Sequence, residues 1–388
     1  MNTKRPIRVL YLHNPYFMGG GEMSFLQLIG AIDRTRCEPY FLSAPYPPFL
    51  NEIEALEVPL KVCEFPHIRP HRLGAVRRCL SVIRSAVHKW DVDILHGNAP
   101  RVNFLAGLAS LGLPVKAVYH VRNLLLEGDW IDLDYWSSWM SDGIICNSRT
   151  TQARFRRRGP FSPRTFVVLN GVDLNTFHPG LSQGACRKAL GLPEGVLVVG
   201  TVGRLHPTKG QDTFLLAAHQ IIRERNDVHF LIAGEDISPN RSWEARLRTL
   251  TRDLGLEDRV HFTGFRRDIP QVMAAMDCFV LASIVDPIPR GTQEAMACGL
   301  PVVATRSGGN VELIEDGTTG YLVPTQDPEA MALRLLELLA DPNLRAAIGG
   351  AGRAWAEAHF SADTHAQQVL SYYEAILTGD LTRVEAFT

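Results

Sequence analysis

Short runs of Val, Ile and Leu recur along this chain, each followed by a longer segment with apolar residues at helical spacing, and the whole rhythm occurs twice. In the first half the runs fall at 7–13, 38–42, 60–65, 93–96, 115–120, 143–147 and 166–169; in the second, at 196–202, 228–233, 260–262, 278–281, 301–304 and 320–323. They are almost continuously apolar, which is the pattern of parallel strands covered on both faces. The intervening segments read as helices: 21–32 with Met23, Leu26, Leu28 and Ile29, 73–90 with Leu73, Val76, Leu80, Ile83 and Val87, and 211–225. Two βαβα series predict an α/β protein of two doubly wound, Rossmann-like domains. With 388 residues, the chain is also too long for one comfortable core. A polar, Gly- and Pro-bearing loop at 178–184 sets the expected boundary: 1–178, then 179–361, with 362–388 as a C-terminal helix packing back on the first domain.

Composition excludes several classes. Net charge is −1, so no global field draws the chain to nucleic acid. Seven scattered cysteines, an odd number without a C-x-x-C pair, argue for free thiols in a reducing, cytoplasmic setting rather than disulfides or a zinc site. The N-terminal apolar run is broken by Arg8 and ends at His13, which reads as a first strand and not a signal peptide. No apolar stretch reaches the roughly 20 residues of a membrane span. Two basic stretches, 71–90 and 154–164, are candidate contacts with anionic membrane, although solvated helix faces explain them more simply.

In open α/β sheets ligands bind beyond the carboxyl ends of the strands, and chemistry-bearing residues cluster there. Arg204 and Lys209 follow the strand 196–202 and precede a helix, where fixed cations can neutralise a departing diphosphate. The segment is not a Walker loop, since Thr208-Lys209 reverses the required order. Asp286 and Glu294 flank a second strand-to-helix passage. Pro287 and Pro289 exclude regular structure before it, Gly291 and Thr292 open the helix with Thr292 as N-cap, and Glu294 falls in its first turn. Two carboxylates for hydroxyls and two cations for a diphosphate suit a nucleotide-sugar site. Arg290, Gly291 and Thr292 at that helix start, with Gly264 and Arg266 beyond the strand 260–262, join the candidate substrate-binding set. Gly19, Gly20 and Gly21 open the first helix and permit close backbone approach to phosphate or sugar, or else form a plain turn. His120 ends a strand and is a candidate substrate contact; His96, in a similar place, reads as packed. The two D-x-D matches, Asp91–Asp93 and Asp132–Asp134, are not read as metal sites.

The chain resembles the family-4 retaining glycosyltransferases of the GT-B fold over nearly its whole length. The markers are Gly19-Gly20-Gly21-Glu22, Asp93-Ile94-Leu95-His96, Tyr119-His120, Asn147-Ser148, Asn170-Gly171-Val172-Asp173, Gly203-Arg204 with Lys209-Gly210, Gly264-Phe265, the run 294–303, Gly308-Gly309-Asn310-Val311-Glu312 and the run 319–324. The resemblance implies a UDP- or GDP-sugar donor in a cleft between domains, a hydroxyl acceptor, no cofactor, no metal, and retained anomeric configuration. It implies that Arg204 and Lys209 hold the diphosphate, Glu294 the ribose and Asp286 the donor sugar, while the glycine loop and His120 approach from the first domain. Three positions depart from the pattern: Asp286 replaces a glutamate, Pro289 stands where glycine is common, and Asn98 replaces a second histidine. A nucleotide-sugar epimerase of the same fold and an inactive nucleotide-sugar-binding relative are the competing expectations. Trp130, Trp136 and Trp139 are read as core residues before sugar-stacking ones.

Overall fold

The structure is a computed structural model and describes residues 5–124, 132–156, 164–380 and 384. The chain divides into two compact units, 1–171 with 362–388, and 172–361. The first unit carries strands β1 (Ile7–His13), β2 (Cys37–Ser43), β3 (Leu60–Val62), β4 (Ile94–Gly97), β5 (Lys116–Val121), β6 (Gly143–Cys146) and β7 (Thr165–Val167). They form one sheet in the order β3-β2-β1-β4-β5-β6-β7, with every adjacent pair parallel. The second carries β8 (Leu197–Val202), β9 (Val228–Ala233), β10 (Val260–Gly264), β11 (Cys278–Leu281), β12 (Val302–Thr305) and β13 (Tyr321–Val323). Their order is β10-β9-β8-β11-β12-β13, again all parallel. Each sheet therefore reverses its winding once, beside β1 and β4 in the first unit and beside β8 and β11 in the second. Such a reversal opens a crevice at the strands' carboxyl ends.

The predicted run 60–65 is a strand only to Val62, because its partner β2 ends at Ser43, opposite Val62. Residues 64–69 are consequently free to form a loop. The helix Ala362–Thr378 belongs to the first unit. Its Val369, Leu370, Tyr372, Tyr373 and Ile376 are buried with Val9, Phe25, Ile94, Val118 and Ile145 in one core. Burying each such side chain contributes about 1.5–3 kcal/mol, so this helix is integral to the unit. In the second unit, Phe214, Phe230, Val280, Leu335 and Leu338 anchor the core. No helix among the described residues is long and apolar enough to cross a membrane.

Trp136 and Trp139 are not core residues: they are 65% and 69% exposed, on a short helical segment spanning 133–140. Trp130, Arg157 and Arg158 lie outside the described residues. The D-x-D acids serve the fold. Asp93 receives two bonds from Arg5 and the Arg8 backbone N–H, and Asp91 pairs with Arg8. Buried Asp132 and Asp134 both pair with Arg154, and Asn103 donates to Asp134 at 2.8 Å.

Candidate active site

In the second unit the turn after β8 runs through Arg204 into a single 3-10 turn, Pro207–Lys209, and Gly210 then turns the chain into the helix Gln211–Glu224. Gly210 has φ +64, and a β-carbon there would stand 2.1 Å from the Ala282 carbonyl oxygen. Only glycine fits both the left-handed backbone and that approach. The Ile284 N–H donates to the Thr208 carbonyl at 2.8 Å, tying this turn to the segment after β11. Lys209 donates to the Asp286 carboxylate. Arg204 is exposed and carries no ion pair among the described residues. The His206 imidazole is held below its ordinary range by burial and by the positive charges of Arg204 and Lys209. Lys209 and Asp286 thus meet beyond the carboxyl ends of the neighbouring strands β8 and β11, with Arg204 on the turn that carries Lys209.

The segment after β11 enters the helix Arg290–Ala297, one residue before the expected start at Gly291. Pro289 takes the N-cap position at φ −79, a place where a residue without an N–H costs nothing. Thr292 is therefore not the cap. It lies inside the first turn, fully buried, donating to Asn310 at 3.1 Å. Glu294 accordingly sits beyond the first turn, where the helix dipole helps it little. Arg290, four residues before it, donates to its carboxylate at 2.5 Å. Burial pushes the Glu294 carboxyl up, and Arg290 only partly opposes that. Gly291 abuts the end of β8: a β-carbon there would lie 3.3 Å from the Val202 carbonyl oxygen. Two acid–base pairs, Lys209–Asp286 and Arg290–Glu294, therefore flank the same strand ends.

Gly264 joins this edge through Gly234, whose N–H donates to it at 2.9 Å and whose own missing β-carbon would stand 1.9 Å from the Gly203 oxygen. Arg266 is turned to Asp268, at 2.5 Å, and has no described contact with Arg204, Asp286 or Glu294. Gly308 has φ +51, and a β-carbon there would stand 1.7 Å from the Asp286 carbonyl oxygen. Gly308→Ala is expected to destabilise the second unit by more than about 2 kcal/mol through backbone strain next to Asp286. An unchanged denaturant midpoint would contradict this.

The first unit carries a separate cluster at the ends of β1, β4 and β5. Gly19 precedes the helix Gly20–Ala31, and its N–H donates to Glu22 at 3.1 Å. The second Glu22 oxygen lies 3.6 Å from His13 Nε2, while His13 Nδ1 approaches the Asn98 carbonyl at 3.2 Å. Burial pushes the Glu22 carboxyl up, but His13 and the Gly19 N–H outweigh it and hold the group below its ordinary range. Gly21 has open space where a side chain would stand.

His120 and His96 are both buried, and burial together with Arg122 holds both well below the ordinary histidine range, so both are neutral. Arg122 Nη2 lies 3.3 Å from His120 Nδ1. A guanidinium can only donate, so Nδ1 accepts and the proton sits on Nε2. His96 Nε2, 3.2 Å from the same Nδ1, must then also be a donor. This leaves His96 Nδ1 as acceptor for the Tyr373 hydroxyl at 2.5 Å. The chain Tyr373–His96–His120 fixes one tautomer and presents His120 Nε2–H, buried without a partner among the described residues, as a donor. Arg122 itself is held by Asn98, at 2.7 Å, and by Asn170. Sequence reasoning singled out His120 but not Arg122 or Tyr373. Arg122 is legible as a charge at a strand's carboxyl end; Tyr373 carries no local signal.

Residues 182–355 match the family described as Glycosyl transferases group 1, and residues 18–176 match Glycosyltransferase Family 4. The D-inositol 3-phosphate glycosyltransferase of Segniliparus rotundus is 34% identical over 341 residues, covering 83% of this chain and 72% of that protein. The lipopolysaccharide core biosynthesis mannosyltransferase LpsB of Rhizobium meliloti is 30% identical over 247 residues, 62% and 69% of the two chains. Among solved structures, Anabaena HepE in complex with UDP and glucose superposes with a TM-score of 0.83 at 26% identity, over 95% of this chain and all of that one. Two parallel-sheet Rossmann-like units of this kind define the GT-B fold. The chain belongs to the group 1 glycosyltransferases, family 4.

Proposed function

We propose that the protein moves a sugar from a nucleoside diphosphate sugar to a hydroxyl acceptor with retention of configuration, meeting the diphosphate charge with side chains rather than a divalent cation. The observation that carries this reading is the Lys209–Asp286 contact beyond the carboxyl ends of the neighbouring strands β8 and β11, with Arg204 on the same turn as Lys209. The complex of HepE with UDP-glucose supports a UDP-sugar donor, and a GDP-mannose-dependent relative in Corynebacterium glutamicum supports GDP. Domain roles follow: 179–361 binds the donor, while 1–178, with 362–388, carries the acceptor.

Arg204 and Lys209 hold the diphosphate, with Lys209 exchanging Asp286 for phosphate oxygens. Glu294 accepts from the ribose hydroxyls, and Asp286 from the donor sugar. Arg290, Gly291, Gly264 and Arg266 shape the surrounding surface, Thr292 supports it from beneath by holding Asn310, and the Gly19–Gly21 backbone approaches phosphate or sugar. In the transfer step the bond from the anomeric carbon to the phosphate oxygen breaks as the acceptor oxygen bonds the same face. The acceptor's proton passes to the leaving phosphate oxygen. His120 Nε2–H donates to a sugar hydroxyl. The reaction belongs in the cytosol, where all seven cysteines, buried and unpaired, stay thiols.

A panel of nucleotide sugars screened by thermal shift, followed by transfer assays with and without EDTA, tests this. Transfer unaffected by chelation is expected. Conversion of the donor without acceptor would instead identify an epimerase, and binding without turnover an inactive relative.

Tyr373→Phe removes the donor to His96 Nδ1, so His96 can carry its proton there and no longer donate to His120. Turnover should fall about 5–10-fold, the worth of one hydrogen bond. The 15N shifts of His120 should report a mixed tautomer. A pure Nε2–H signal with unchanged turnover would remove Tyr373 from this role.

A further inference from the structure

The first unit holds a second convergence of polar side chains, at the carboxyl ends of β1, β2 and β3. A cleft of about 530 Å³ opens there between the segment after β3 and the start of the helix Leu73–Trp90. His67, His71, Arg72 and Arg78 line it, and Glu64 is the one carboxylate among the lining residues. Arg101 braces the loop from behind, donating to the Phe65 carbonyl at 3.3 Å and approaching His67 Nε2 at 3.1 Å. That contact makes Nε2 an acceptor and leaves His67 Nδ1–H as a donor.

The cations here are uncompensated. Arg5, Arg8, Arg36 and Arg154 of the same unit each have a carboxylate partner. Among the described residues no carboxylate lies within 4.0 Å of Arg69, Arg72, Arg78 or Arg101. His67 registers the excess: Arg101 first, then burial, then Arg69 and Arg72 hold its imidazole below the ordinary range. Unpaired cations on a concave wall concentrate an attractive field for anions, and the arginine fork matches phosphate oxygens two at a time. The volume suits a sugar- or polyol-sized ligand.

We propose that this cleft recognises the acceptor through a phosphate group, with Arg72 and Arg78 on the phosphate oxygens and Glu64 accepting from a neighbouring hydroxyl. The acceptor is then a phosphorylated polyol or sugar, free or as a lipid headgroup. This rests on the reading that the first unit carries the acceptor.

The test is calorimetry on the full chain with glycerol 3-phosphate and with glycerol. It is paired with sedimentation on phosphatidylcholine vesicles containing phosphatidic acid, phosphatidylglycerol or neither. Arg72 and Arg78 are exposed and have no ion pair among the described residues, so the Arg72→Ala/Arg78→Ala protein should keep its thermal midpoint. Binding of glycerol 3-phosphate but not glycerol, at least tenfold weaker in the double variant and unchanged in Arg204→Ala, supports a soluble source. The same loss seen only with phosphatidic acid vesicles supports a lipid source. Absence of both, retention of binding in the double variant, or equal binding to phosphatidylglycerol vesicles overturns the proposal, the last by showing general surface adhesion. If binding fails while donor-dependent transfer to a neutral hydroxyl persists, this inference alone falls. If no donor is turned over, the wider reading falls and the binding result still stands by itself.

Discussion

Arg204→Ala should lower turnover about 10²–10³-fold, the usual cost of removing one charge-stabilising group from a site where charge develops. The thermal midpoint should hardly move. Arg204 is exposed and has no ion-pair partner among the described residues, so its loss strands no charge. Lys209→Ala is a less clean experiment. It leaves the buried Asp286 carboxylate without its cation, at a cost of about 1–3 kcal/mol. The double variant should therefore be inactive and somewhat less stable, while Arg204→Ala separates chemistry from folding. Near-normal turnover in the double variant would remove the leaving-group assignment altogether.

The second large effect is acid sensitivity of the first unit. His96, His120 and His365 are all buried beside Arg122, and burial first, then that cation, depress all three, His365 to about 3. Their folded values lie below the unfolded value of about 6.5. The native state therefore binds fewer protons than the unfolded state once the pH drops below 6.5. The stabilisation is complete above that value and is lost as the pH falls through it and on toward 3. Each histidine removes at most about 1.4 kcal/mol per pH unit in that window. Amide exchange in the first unit should accelerate steeply between pH 6.5 and 5.5, by roughly the three histidines' combined effect. His365→Leu deletes one titrating group, so its pH slope should be shallower than the wild-type slope. Parallel slopes would show that these imidazoles protonate without cost.

Much of this architecture is legible in the sequence because doubly covered strands leave an uninterrupted apolar trace; β1, β9 and β11 begin and end where that trace does. Arg204, Lys209 and Asp286 are legible as charges just beyond strand ends, which is where β8 and β11 leave them, although the Lys209–Asp286 pairing is not encoded by spacing. The helix beginning at Arg290 was harder, because Thr292 looks like a cap and Pro289 does not. Trp136 and Trp139 misled through their size: an aromatic in sequence gives no sign of which way a short helical segment turns it. Arg154 neutralising Asp132 and Asp134, and Tyr373 reaching His96, are contacts between distant positions, which neither periodicity nor spacing encodes.

The helix Ala362–Thr378 gives the chain an order of assembly. Residues 172–361 form a continuous unit that can close on itself as soon as it has been synthesised. The amino-terminal sheet, although made first, must wait on the ribosome with Phe25, Ile94 and Val118 uncovered until residues 362–378 arrive. During translation the earlier-made half is thus the one whose core closes last, and loss of the late helix would remove Val369, Leu370, Tyr372, Tyr373 and Ile376 from that core.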